Sequence, residues 1–115
     1  MSGVAVVTTV HGRHDHLRRQ RLSLAAGTLV PDVHVVVAMD DPAVAGVAVE
    51  DGPPAEVLAI ASPPQGLPLA AARNLGMAHA LRSGCDVLIG LDVDCLAGPT
   101  MVAGYAATVR DDPAT

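Results

Sequence analysis

The sequence predicts an α/β domain, a mainly parallel, doubly wound sheet with helices on both faces. Three observations lead there. Short apolar runs alternate with longer, Ala- and Leu-bearing segments of helical character. The apolar runs are almost unbroken rather than alternating, as strands covered on both faces require. The 115 residues contain no Phe or Trp and a single Tyr, so the core must be packed from Val, Ala, Leu and Ile, which suits close βαβ layers.

Each element has a local reason. Val4 to Val10 reads as a central strand that closes on Thr8-Thr9-Val10-His11-Gly12, where Gly12 lets the backbone turn. Arg13 to Ala26 follows as a helix, with Asp15 as its N-cap, Leu17, Leu24 and Ala25 as core contacts and Gly27 as its stop. Val33 to Met39 is a second buried strand, ending on Asp40-Asp41-Pro42. Residues 42–54 show no clear period and read as a loop holding at most a short helix or extra strand. Glu56 to Ala61 is a third strand. Three prolines keep Ser62 to Pro68 out of a helix, and this loop is expected to lie over the ligand edge. Leu69 to Arg82 is an Ala-rich helix stopped by Ser83-Gly84; Asp86 to Leu91 is the fourth strand; Pro99 to Arg110 is a last helix, with Asp111 to Thr115 as a frayed end.

Composition narrows the function. A net charge of −5, with seven Arg and no Lys, gives a phosphate backbone little long-range attraction, so nucleic acid is not expected as a partner. The near absence of aromatic residues argues against single-strand stacking and carbohydrate-binding modules. Arg18, Arg19 and Arg21 read as the solvated face of a helix, with peripheral membrane contact as the rival reading. No apolar run reaches about 18 residues, and the N-terminus shows no basic region or cleavage site, which leads to a cytoplasmic expectation. Cys85 and Cys95 flank the fourth strand, about 20 Å apart if extended against a disulfide limit of about 7 Å, and read as free thiols.

The fourth strand ends on Leu91-Asp92-Val93-Asp94. Side chains two apart share a face, so the two carboxylates converge if the strand continues that far. Paired hard oxygen ligands suit Mg²⁺ or Mn²⁺ beside a substrate's phosphates. The plain alternative is a turn opener or cap. Neither a Gly-x-Gly-x-x-Gly nor a Gly-x-x-x-x-Gly-Lys loop follows the first strand, so dinucleotide and P-loop sites are unsupported. His11-Gly12-Arg13-His14-Asp15-His16 is dense in imidazoles, but His14 and His16 diverge on a helix, which argues against zinc or nickel.

Four stretches in this order resemble the nucleotide-sugar-binding half of a family 2 glycosyltransferase of the GT-A fold, a Rossmann-like sheet. They are Val4-Ala5-Val6-Val7-Thr8-Thr9-Val10-His11-Gly12-Arg13, Val36-Val37-Ala38-Met39-Asp40-Asp41-Pro42, Ala72-Arg73-Asn74-Leu75-Gly76 and Leu91-Asp92-Val93-Asp94. The resemblance covers most of residues 1–115. It implies that Thr9 and His11 line the nucleobase pocket, with His11 where the family often has Tyr. Asp41, or else Asp40, would accept from the base or ribose. Asp92 would meet the ribose or the metal, Asp94 would ligate the Mn²⁺ or Mg²⁺ that bridges the diphosphate, and Arg73 would neutralise the diphosphate or order the acidic loops while Asn74 holds the loop. The donor would be a nucleoside diphosphate-sugar and the acceptor is unidentified.

Each residue also has a structural use. Arg73 can pair with Asp92 or Asp86, Asp40 and Asp41 can cap a turn, and Thr9 can be a satisfied strand end. Gly76 can serve close helix–sheet packing, and His79 can be a partly buried packing residue. The resemblance further implies that the acceptor half of the fold and its general base lie outside these residues, with Asp111 and Asp112 not nominated. The chain is then expected to turn over poorly or not at all by itself, as a fragment of a longer transferase, a short chain whose sheet edge is completed by self-association or a partner, or a binding-only remnant. A sugar nucleotidyltransferase and a non-catalytic α/β scaffold are the competing classes.

Overall fold

A computed structural model describes residues 3–49 and 51–111. The expectation of a frayed end at Asp111 to Thr115 lies, past Asp111, outside them. The elements run β1 (Gly3–Val10), α1 (His14–Ala25), β2 (Val33–Met39), α2 (Val44–Ala48), β3 (Ala55–Ile60), α3 (Leu69–Arg82), β4 (Cys85–Gly90) and α4 (Met101–Asp111). Their sheet is four-stranded with the order β3-β2-β1-β4, and every pairing is parallel. The α/β class and the helices on both faces are as the sequence predicts.

Alternation along the strands divides the core. Ala5 and Val7 of β1 pack with Val33, Val35 and Val37 of β2 under Ala72 and Ala80 of α3. On the opposite face, Val4 and Val6 meet Val87 and Ile89 of β4, Leu24 of α1 and Val102 and Ala106 of α4. Val10, Val36 and Ala38 continue that face beneath Leu17 of α1 and Val44 and Val47 of α2. The small side chains let α3 approach closely: a Cβ on Gly76 would lie 2.5 Å from Val7 Cγ1 and 3.0 Å from Val37 Cγ2. Gly76 therefore has the packing role the sequence offered for it.

Several local expectations are corrected. Asp15 does not cap α1; the cap position is Arg13, with φ 51, and Asp15 instead pairs with Arg18 at 2.8 Å within the first turn. Ala25 is exposed, because it falls off the Leu17/Leu24 stripe. Arg21 is not part of a solvated face: it is 2% exposed and points into the sheet. Residues 42–54 do hold the short helix the sequence allowed, α2, whose apolar Val44, Val47 and Ala48 are held by burial rather than by a long periodic pattern. Pro99 precedes α4 rather than opening it, and its carbonyl accepts from Thr28 N at 2.7 Å. Both cysteines are free, Cys85 buried and Cys95 exposed. Among the described residues no helix is long and apolar enough to cross a membrane.

Candidate functional site

Because the strands are parallel, Val10, Met39, Ile60 and Gly90 all end at one edge. The chain leaves β1 for β2 and β3 on one side, then returns to place β4 on the other side of β1. The connections therefore diverge between β1 and β4, which is where open parallel sheets hold ligands. A cleft of about 250 Å³ lies there, and its lining includes Thr9, Arg73, Gly90, Asp92 and Cys95. Three candidate residues from three separate stretches, Thr9, Arg73 and Asp92, thus share one cavity.

Arg73 sits in the first turns of α3 and is exposed. Neither suggested ion pair forms. Asp86 instead meets Arg110 at 3.5 Å, and Asp92 faces the cleft with Arg73 without an ion pair between them among the described residues. A guanidinium so placed keeps its fork of donors for an incoming anion.

Asp92 and Asp94 do not converge as neighbours on a strand. Pairing of β4 stops at Gly90, and Asp92 to Cys95 form a turn in which Cys95 N donates to the Asp92 carbonyl at 2.9 Å. Within it Asp94 reaches away to the start of α1, where Arg13 Nη1 donates to Oδ1 at 2.9 Å and His16 Nε2 lies 4.0 Å off. Both members of the Arg13–Asp94 pair are more than half exposed, so water screens it and it can exchange for another partner.

A second cavity, of about 320 Å³, opens at the ends of β2 and β3, bounded by Asp40, Asp41, Pro42, Val57 and Ile60. Asp41 is already engaged. Its Oδ2 accepts from Gly12 N at 2.7 Å and from His14 Nε2 at 2.8 Å. Burial works to raise its pKa, but the hydrogen bonds from His14, Gly12 and Ala43 and the His14 charge together hold it below the usual carboxylate value. Asp40 is exposed and takes φ 50. Arg13 and Asp40 are the non-glycine residues with positive φ among those described, and both stand at this edge. His11, expected to line the nucleobase pocket, lines neither cavity; it is exposed, with Nδ1 donating to the Met39 carbonyl at 2.6 Å. Residues 62–68, between the end of β3 and the start of α3, line neither cavity.

The residues that sequence reading missed lie beneath the edge. Gln20, Arg21 and His34 are buried with Thr8. Arg21 Nη1 meets His34 Nδ1 at 3.0 Å, and Arg21 Nη2 donates to the Pro53 carbonyl at 2.7 Å. A guanidinium only donates, so Nδ1 is the acceptor and the ring carries its proton on Nε2. That Nε2–H donates to Thr8 Oγ1 at 3.0 Å, and the Thr8 hydroxyl donates to Gln20 Oε1 at 2.7 Å. Burial first, and the Arg21 charge second, push the His34 pKa down to about 3, so the ring is neutral. A signal existed: Leu17, Gln20, Arg21 and Leu24 occupy i, i+3, i+4 and i+7, which is one helical face.

Elsewhere His79 Nε2 of α3 contacts Glu56 Oε2 of β3 at 2.6 Å, half-buried as a packing residue. No group of three or more His, Cys, Asp or Glu side chains that would cage a metal occurs among the described residues. The chain matches no protein-family model and no curated protein.

Proposed function

We propose that the chain binds a nucleoside diphosphate-sugar at the β1–β4 cleft, with a Mn²⁺ or Mg²⁺ ion, in the service of sugar transfer, in the manner of a family 2 glycosyltransferase. The observation that carries the reading is the meeting of Thr9, Arg73 and Asp92 in one cleft at the divergence of the sheet. Arg73 offers a planar, positively charged fork to a diphosphate. The neighbouring cavity supplies apolar walls from Val57 and Ile60 beside the carboxylates of Asp40 and Asp41, which suits a base presenting N–H donors.

The donor set also fits the ion. Asp92 and Asp94 offer one or two carboxylate ligands, and Mg²⁺ or Mn²⁺ takes the remainder of its oxygen shell from phosphates and water. Such an ion would neutralise charge on a departing diphosphate. Asp94 must leave Arg13 to join it, and the exposure of that pair makes the exchange inexpensive.

One observation favours a second reading. In the Arg13–Asp94 pair and the Asp92 to Cys95 turn, the acidic stretch has structural employment without a ligand, as it would in a non-catalytic α/β scaffold. A single experiment separates the two. UDP, GDP and dTDP are titrated calorimetrically into the chain with and without Mn²⁺, and again into Asp94→Asn. Mn²⁺-dependent binding of one diphosphate that the substitution weakens at least tenfold supports donor binding. A folded, monodisperse sample that binds none of the three sinks it in favour of the scaffold.

A further inference from the structure

The acidic turn is held from below by one side chain. Gln20 is fully buried on α1, and its Nε2 donates to the carbonyls of Asp92 at 2.7 Å and Cys95 at 3.0 Å, the two ends of the turn that carries Asp94. Its Oε1 accepts from Thr8 Oγ1 at 2.7 Å, so both amide hydrogens and the oxygen are engaged and the amide cannot flip without losing bonds. Behind Thr8 stand His34 and Arg21, a chain of donors in one direction ending on the turn. One helical turn on, Ser23 Oγ accepts from Ala97 N at 3.0 Å and donates to the Gln20 carbonyl at 2.7 Å. α1 thus anchors the loop at its start, its end and just beyond.

We propose that Gln20 is a positioning residue: by fixing both ends of the Asp92 to Cys95 turn it sets where the two carboxylates stand for the cation and diphosphate. The ligand half of this inference rests on the donor-site reading; the clamp itself does not. A buried amide with every polar atom satisfied costs little to keep, whereas its removal takes the Gln20 donor from the Cys95 carbonyl and leaves the Asp92 carbonyl with only the Cys95 amide, the turn's one internal hydrogen bond. The carboxylates would then sample many geometries, and a cation that needs its oxygen ligands in place would bind weakly.

The test uses the full chain and two substitutions. Gln20→Met keeps length and removes both donors and the acceptor. Gln20→Glu keeps the acceptor for Thr8, and its carboxyl can donate once, to one carbonyl, only while protonated.

Amide hydrogen exchange is followed without ligand. In Gln20→Met the Cys95 amide, bonded within the turn, is expected to exchange at least tenfold faster, while the Leu91 amide, bonded to the Val7 carbonyl in the sheet, keeps its rate. Mn²⁺-dependent binding of UDP, GDP or dTDP, whichever the unaltered chain takes, is expected to fall at least tenfold in Gln20→Met. In Gln20→Glu, which can offer the two carbonyls at most one donor, it is expected to fall as well. If Gln20→Met does not fold, the exchange rates and nucleotide binding of Gln20→Glu carry the same comparison. Unchanged exchange at Cys95, or equal acceleration at Cys95 and Leu91, overturns the clamp. Selective acceleration at Cys95 with undiminished nucleotide binding overturns the positioning role. If the unaltered chain binds no nucleotide, the donor-site reading and the ligand half fall together, and Cys95 exchange alone decides the clamp.

Discussion

Arg21 Nη1 donates to His34 Nδ1 at 3.0 Å, and neither side chain reaches solvent. The pair joins α1 to β2, and its direction fixes the tautomer of the imidazole. A proton on Nδ1 would set two donors against each other inside the sheet. His34 is therefore required to be neutral, and acid must act on the fold through it.

The sign follows from the pKa. His34 is held at about 3 in the folded chain against 6.5 when unfolded, so between these values the unfolded chain binds the extra proton and stability falls as pH falls. From pH 7 to pH 5 this one group is expected to cost about 2 kcal/mol. Urea unfolding at both pH values should show the loss, and His34→Gln, which cannot titrate, should lower stability at pH 7 but flatten the slope by about that amount. Equal slopes in the two proteins would remove His34 as the cause.

Gly76→Ala tests the approach of α3. Alanine would gain up to about 1 kcal/mol in helix propensity, but its Cβ would stand 2.5 Å from Val7 Cγ1 in the middle of the sheet. Overpacking should dominate, with a net loss of about 2 kcal/mol in urea unfolding. A stabilised variant would mean that α3 can move away freely.

Arg13→Gln addresses the exposed pair with Asp94. Its effect on stability is expected to stay within about 0.5 kcal/mol, as for other solvent-screened ion pairs. Because it frees Asp94, it should strengthen Mn²⁺-dependent diphosphate binding if Asp94 is a ligand. Weaker binding in calorimetry would instead assign Arg13 to the diphosphate.

The two thiols should differ in reactivity. Cys95 is exposed and lines the β1–β4 cleft, whereas burial first, then the charges of Asp32, Asp86 and Glu56, raise the pKa of Cys85. A thiol reagent is expected to modify one equivalent in the native chain and a second only on unfolding, with mass spectrometry placing the first at Cys95. Mn²⁺ with the bound diphosphate should slow that reaction. Equal rates at both residues would show that Cys85 is not shielded.

Much of this was legible before any coordinates. Val33 to Met39 and Leu69 to Arg82 have the boundaries their patterns predict, because a continuous β-branched run and an Ala-rich run between Pro68 and Gly84 each admit one local structure. Free cysteines and the glycine under α3 also follow from order and spacing, whereas a common site for Thr9, Arg73 and Asp92 is what the family resemblance implies. The short α2 did not, since five residues are too few to show a period, and burial against β2 and β3 holds them.

Sequence by itself determined the parallel α/β class and brought the strand ends with their polar residues to one edge, because strand–helix alternation with apolar strands has few other solutions. Only the tertiary structure decided what those residues do there. It turned Asp94 toward Arg13, engaged Asp41 with Gly12 and His14, left Arg73 unpaired among the described residues, and buried Gln20, Arg21 and His34 as a directed chain under the acidic turn. A polar side chain's role depends on which partner reaches it through space, and hydrophobic patterning, which sees only the neighbours along one element, carries no record of that partner.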